Sequence, residues 1–262
     1  MTNNSPLIFL DSGIGGLPYL NWLRDRLPGE DLIYLADSAG FPYGEKNPQE
    51  LTDLLMERFD RMNRLFSPKA AVLACNTASV VSLEALRRRF PFPFVGTVPA
   101  IKPAAGNGRP HRIGLLATNR TVEEAYTQRL IADFASHCDV VKRGAAELVD
   151  FVENRYYQST PSQVDAFLKP LVEDFSSRNI DALVLGCTHF VYLKEALERG
   201  LPHVSIVDSV DGVGRQVLRV LESLGHREEG GGRARLYTTG GSETLFHDFA
   251  RRSSLEEAGI LP

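Results

Sequence analysis

Short apolar runs alternate along this chain with stretches whose apolar residues recur at helical intervals. Leu7–Leu10 is such a run. The polar loop Asp11-Ser12-Gly13-Ile14-Gly15-Gly16 follows it, then Leu17, Leu20, Leu23 and Leu27 at helical spacing, ended by Pro28-Gly29. The run reads as a buried strand and the periodic stretch as a helix. The alternation continues with a strand over Leu32–Ala36, an amphipathic helix over Leu51–Leu65 and a strand over Ala70–Ala74. A helix through Val80–Phe90 and a strand over Phe94–Thr97 come next.

The segment from Pro99 to Pro110, dense in proline and glycine, reads as a linker, and after it the pattern restarts. Arg112–Ala117 resembles the opening strand, Thr118–Thr121 reads as a loop and Val122–Ala135 as a helix. Ala182–Leu185 then repeats the strand before Cys75. Ser205–Val207 reads as a strand, Asp211–Leu224 as a helix, Glu229–Arg233 as a mobile glycine-rich loop and Leu236–Thr239 as a strand. A helix from about Glu243 to Arg252 closes the pattern. Strand–loop–helix order repeated twice predicts an α/β protein of two similar parallel-sheet domains facing each other across a shared cleft. The expected domains are residues 1–98 with 206–262, made discontinuous by the returning tail, and residues 99–205.

A net charge of −4 with no long basic run argues against nucleic-acid binding. No apolar stretch reaches the ~18 residues of a membrane span, and the N-terminus lacks the features of a secretory signal. Three cysteines fit neither a disulfide framework nor a structural zinc site, so a cytoplasmic protein is expected.

Two of those cysteines occupy matching contexts, Ala71-Val-Leu-Ala-Cys75-Asn76-Thr77 and Leu183-Val-Leu-Gly-Cys187-Thr188-His189. Each ends an apolar run and enters a segment rich in small polar residues. Ligands of open parallel sheets bind beyond the carboxyl ends of strands, so paired strand-end thiols suggest one site with a thiol on either side of a ligand. Backbone N–H groups at a helix start favour thiolate. That suits one cysteine as a base and the other as an acid. Cys138 reads instead as a small buried hydrophobe. A disulfide between Cys75 and Cys187 would disable both. Cys187-Thr188-His189 lacks the second ligand pair a structural zinc needs.

The glycine-rich loop after Asp11 can cradle an anion on its amides, but matches neither a dinucleotide nor an ATP fingerprint. Asp11 reads equally as a helix cap or as a group orienting a nearby thiol. Phe41-Pro42-Tyr43-Gly44-Glu45-Lys46 is a turn that can offer Tyr43 and Gly44 to a ligand. Asn76, Thr77 and Thr188 are caps or carboxylate-binding groups. His189 is the histidine placed inside a motif, and Glu153 reads no differently from a surface helix residue.

Taken in order, these motifs resemble the glutamate racemase family within the aspartate/glutamate racemase superfamily. The likeness extends over Val98-Pro99-Ala100-Ile101-Lys102-Pro103-Ala104, over Gly114-Leu115-Leu116-Ala117-Thr118 with Thr121, and over Leu185–Phe190. It implies a racemase that uses no cofactor and no metal and passes the α-proton of glutamate between two cysteines. Cys75 would act on D-glutamate and Cys187 on L-glutamate, with Asp11 assisting the first, His189 the second and Glu153 as a further acidic auxiliary. Asp11, Ser12, Tyr43, Gly44, Asn76, Thr77, Thr118, Thr121, Thr188 and His189 fall where the family holds its substrate.

The resemblance further implies supply of D-glutamate to peptidoglycan. It leaves room for a peptidoglycan-precursor activator and for a homodimer. Ala145-Ala146, Phe190-Val191 and Pro18-Tyr19 depart from common family pairs and bear on specificity and packing. A racemase of aspartate or another amino acid, or a binding module without catalysis, are the rival readings.

Overall fold

The computed structural model describes residues 5–106, 112–225, 232–240 and 243–261. The chain separates into two compact units, one of residues 1–97 with 210–262 and one of residues 98–209.

The first unit opens with β1 (Leu7–Asp11), α1 (Leu17–Arg24), β2 (Leu32–Ala36), α2 (Pro48–Phe66), β3 (Ala70–Leu73), α3 (Asn76–Arg89) and β4 (Phe94–Gly96). The four strands are almost wholly buried, which is why they read as continuous apolar runs rather than alternating ones. α2 shows how the sequence sets an element. Asn47 accepts from the Glu50 N–H while the Glu50 carboxylate reaches back, and Pro48 occupies the first turn. Leu51, Leu55, Phe59 and Met62 then form its buried stripe, and Ser67 ends it in a left-handed conformation (φ 46°). Phe59 packs edge-on to Phe94 with ring centroids 4.8 Å apart, joining α2 to the sheet.

The second unit contains α4 (Ile101–Ala105), β5 (Arg112–Ala117), α5 (Asn119–Glu123), α6 (Ala125–Phe134), β6 (Asp139–Gly144), α7 (Ala146–Asn154), α8 (Pro161–Ser177), β7 (Ala182–Gly186), α9 (Lys194–Gly200) and β8 (Ser205–Val207). Ile113, Leu115, Ala117 and Val184 pack with Ile101, Ala104 and Ala105 in its core. The chain then returns to the first unit as α10 (Val210–Ser223), β9 (Ala234–Thr238), α11 (Glu243–Arg252) and β10 (Glu256–Ile260).

Both sheets are parallel throughout, with orders β10-β9-β2-β1-β3-β4 and β6-β5-β7-β8. Set side by side, β2-β1-β3-β4 and β6-β5-β7-β8 are one topology used twice. In each, the strand order reverses beside the first strand. That reversal is the switch point where such sheets leave a crevice at their carboxyl ends. Cys75 follows β3 and Cys187 follows β7, so both thiols stand at a switch point.

Several sequence expectations are corrected. The segment read as a linker holds α4 on the apolar Ile101, Ala104 and Ala105. The single helix expected over Val122–Ala135 is broken at Glu124, whose extended ψ of 138° ends α5 and starts α6. Thr118 is a helix cap rather than the start of a loop, because its side chain accepts from the Thr121 N–H. β6, α7 and α8 fill the interval before Ala182, and β10 follows the helix thought to end the pattern. Residues 229–231 of the expected mobile loop lie outside the described residues.

Candidate active site

Cys75 leaves β3 in extended conformation (φ −142°, ψ 125°) and is the N-cap residue of α3, with a side chain that makes no capping bond. It is 7% exposed. Asp11 ends β1, the strand hydrogen-bonded to β3, and is fully buried. The Ser12 N–H donates to Asp11 Oδ1 at 2.6 Å, and the Ser12 hydroxyl lies 3.4 Å from the same oxygen. The helix-cap reading of Asp11 does not hold, because Gly16 is the N-cap of α1. Its carboxylate is instead fixed at the strand end by the residue beside it.

The loop between them is pinned by Tyr34, whose phenol accepts from the Gly16 N–H (3.0 Å) and donates to the Gly13 carbonyl (2.7 Å). A Cβ at Gly16 would come within 2.7 Å of the Ala74 Cβ, so this residue has to be glycine for the loop to lie against the strand before Cys75.

Tyr43 opens the 3-10 turn Tyr43–Glu45, with Gly44 partly exposed beside it. The Tyr43 phenol donates to Asp37 Oδ2 at 2.7 Å. Burial raises its pKa well above the ordinary tyrosine value, and the Asp37 charge and hydrogen bond add to this, with Cys75 and Asp11 contributing in the same direction. Three acidic groups thus face this phenol. It stays a neutral donor and cannot serve as the base.

Asp37, the partner of Tyr43, is a buried carboxylate that sequence reasoning did not single out. It is completely buried, and Oδ1 accepts from Arg58 Nε (2.9 Å) and from the Thr239 hydroxyl (2.6 Å). The available signal was its place directly after β2, one residue beyond the Ala36 that pairs with Asp11 at the end of β1.

Asn76 and Thr77 form the first turn of α3, buried at 1% and 3% exposure. Neither the amide nitrogen nor the amide oxygen of Asn76 has a hydrogen-bond partner. An unsatisfied buried amide costs ~1–3 kcal/mol, so its persistence asks for a polar ligand or water at that point.

The second unit repeats the arrangement with different helpers. Cys187 (φ −141°, ψ 137°, 6% exposed) is the N-cap residue of the 3-10 helix Thr188–Leu193, with backbone dihedrals close to those of Cys75. The His189 imidazole places Nδ1 4.0 Å from the Cys187 sulfur and Nε2 2.9 Å from Glu153 Oε2. Thiol, imidazole and carboxylate therefore stand in series, the carboxylate fixing the ring as in nucleophile–base–orienter sets. Glu153 is not the surface residue its sequence context allowed, since its side chain is 13% exposed and faces His189 from α7. Thr188 is fully buried beside the thiol. Thr118 and Thr121 sit past the end of β5, the strand paired with β7, and bond to each other at 3.0 Å. Among the described residues no cluster of His, Cys, Asp and Glu is arranged to hold a metal ion.

Residues 19–216 match the family model described as Asp/Glu/Hydantoin racemase. The chain belongs to this family. Among its relatives, the glutamate racemase of Glaesserella parasuis serovar 5 is 41% identical over 220 residues, 83% of this chain and 82% of that one. Among solved structures, Escherichia coli glutamate racemase in complex with L-glutamate and the activator UDP-MurNAc-ala has a TM-score of 0.84 at 34% identity, covering 97% of each chain. Glutamate racemase isoform RacE1 of Bacillus anthracis has a TM-score of 0.82 at 26% identity, covering 99% of this chain and 98% of that one. Membership makes the chain an enzyme, an isomerase of the racemase class. Among the described residues, no helix is long and apolar enough to cross a membrane.

Proposed function

We propose that this racemase interconverts L- and D-glutamate by proton transfer between Cys75 and Cys187, without a cofactor. The observation carrying the proposal is the pair of buried thiols at equivalent strand ends. Each has a titratable neighbour, Asp11 beside one strand and the His189–Glu153 pair beside the other.

From D-glutamate, the Cys75 thiolate takes the α-proton and the Cys187 thiol delivers its own to the opposite face of the carbanion. Product leaves with the two thiols' protonation exchanged, so the enzyme is then set for the reverse direction. An unperturbed thiol is only about 3% thiolate at pH 7, which gives the first-turn N–H groups and the helpers their task. Asp11 supports the Cys75 base and His189 the Cys187 base. Ser12, Tyr43, Gly44, Asn76, Thr77, Thr118, Thr121 and Thr188 supply donors and acceptors for the substrate's carboxylates and amine. With no electron sink, the carbanion has to be stabilised by these preorganised dipoles.

Supply of D-glutamate to peptidoglycan in the cytoplasm follows from this reading, and an activator of the UDP-MurNAc-ala kind is a natural ligand to test. The relatives favour glutamate over aspartate.

The test is solvent-deuterium entry into Cα of each glutamate enantiomer, with aspartate as control, for wild type, Cys75→Ala and Cys187→Ala. Wild type is expected to label the product of either enantiomer, and each variant to lose racemisation by ~100-fold or more. Undiminished racemisation by either variant would sink the two-thiol mechanism, and faster turnover of aspartate would overturn the substrate.

A further inference from the structure

The contact that brings Glu153 to His189 continues outward. In a 3-10 helix, side chains three apart eclipse, so Tyr192 lies along the same face as His189. Tyr156, three residues after Glu153, lies in the 3-10 helix Tyr156–Gln158 that continues α7. The His189–Glu153 bond at 2.9 Å is therefore one rung, and the Tyr192–Tyr156 ring contact, with centroids 5.6 Å apart, is the next. Tyr157 completes the cluster, edge-on at 5.4 Å to Tyr156 and 5.9 Å to Tyr192.

These three rings line a cavity of about 340 Å³ whose walls belong entirely to the second unit, with Val164, Glu195 and Arg199 among the other lining residues. The volume is at the small end of small-molecule sites. None of these side chains has a part in the proton transfer proposed above.

The charges decide what fits. Arg199 is held by Asp165 at 2.8 Å, and those two cancel. Glu195 has no ion-pair partner at salt-bridge distance among the described residues, and Glu195, Arg199 and Asp165, the last lying outside the lining, together carry one negative charge. Burial, and then the Glu195 charge, raise the Tyr156 pKa against a smaller opposing contribution from Arg199, so the phenol stays neutral. Aromatic faces carry the negative end of the ring quadrupole. An anion would meet both the π faces and Glu195 unfavourably, while a cation is attracted by both.

We propose that this cavity is a second binding site, for a small organic cation such as an aryl- or alkylammonium, and that its occupancy is felt at the neighbouring Glu153–His189 rung. The kinetic half of this proposal rests on the racemase reading; the binding half does not.

Benzyltrimethylammonium is the probe, with benzyl alcohol as neutral control and benzenesulfonate as anionic control, titrated by calorimetry against the full chain. The cation is expected to bind about tenfold more tightly than the alcohol. Tyr192→Leu should abolish saturable binding. Glu195→Gln should weaken it about fivefold while leaving racemisation without probe unchanged. At saturation the probe should change wild-type glutamate racemisation by about twofold or more, and Glu195→Gln should show less of the change at the same concentration.

Equal binding of all three probes, or binding indifferent to both substitutions, would overturn the site. Saturable binding with unaltered racemisation would overturn the coupling alone. Saturable cation binding by a wild-type chain that racemises no glutamate would overturn the proposed function and leave the site standing.

Discussion

Tyr43 and Glu153 show how a buried partner assigns a role to a side chain. The Tyr43 phenol is held protonated by burial and by Asp37, so its folded pKa lies above its unfolded one. Any stability this confers is fully present below the unfolded value of about 10 and is lost as pH rises through the folded pKa. Denaturant midpoints measured upward from pH 9 should therefore fall less steeply for Tyr43→Phe than for wild type, and an identical slope would show that Tyr43 does not titrate late. Glu153→Gln keeps the shape of the His189 contact but removes the charge of its acceptor. Losing a charge-assisted bond of ~1.5–3 kcal/mol predicts a drop in racemisation of about 10- to 100-fold. Because enantiomers have equal free energy in water, kcat/KM must fall by the same factor in both directions. Asymmetry between the helpers can appear only in kcat and KM taken separately, and their pH profiles for the two enantiomers should differ.

At the scale of elements, the strands and the main helices were legible because buried parallel strands leave continuous apolar runs. α2 and α10 likewise leave stripes at helical spacing. The stretch from Ser136 to Asp181 and the last strand, β10, were not. β6 is half exposed, with Asp139, Lys142 and Arg143 at the open edge, so no apolar run marks it. α4 was hidden by Pro99 just before it and Pro103 within it, and the α5–α6 break by the lack of any proline or glycine at Glu124. Of the candidate site residues, Cys75, Cys187 and Asp11 stood out because strand ends are visible in sequence. Glu153 and Asp37 did not, because what distinguishes them is a partner far along the chain: His189 for one, Arg58 and Thr239 for the other. One contact between elements can be tested directly. A Cβ on Gly214 of α10 would come within 2.2 Å of Trp22 Cε3 of α1. Gly214→Ala should destabilise the first unit by ~1–3 kcal/mol, visible in its denaturant midpoint. An unchanged midpoint would mean that Trp22 swings aside without penalty.

For the whole molecule, the first unit is closed by residues that follow the second unit in sequence, since β9 pairs with β2 and Trp22 packs on α10. The second unit is continuous in sequence. A fragment of residues 98–209 is expected to fold alone, giving dispersed amide resonances. A chain truncated after Ser209 should lose hydrogen-exchange protection in β2, whose outer edge is then open. Full protection of β2 in the truncated chain would show the tail to be dispensable. The doubled topology carries one more consequence. Both units are built of L-residues with the same right-handed connections, so the second is a repeat of the first and never its reflection. The two substrates, however, are reflections of one another. Copying a scaffold cannot by itself give both enantiomers equivalent surroundings. Under the proposed mechanism, Asp11 as the neighbour of Cys75, and His189 with Glu153 as the neighbours of Cys187, are how a single-handed polymer would serve a mirror pair.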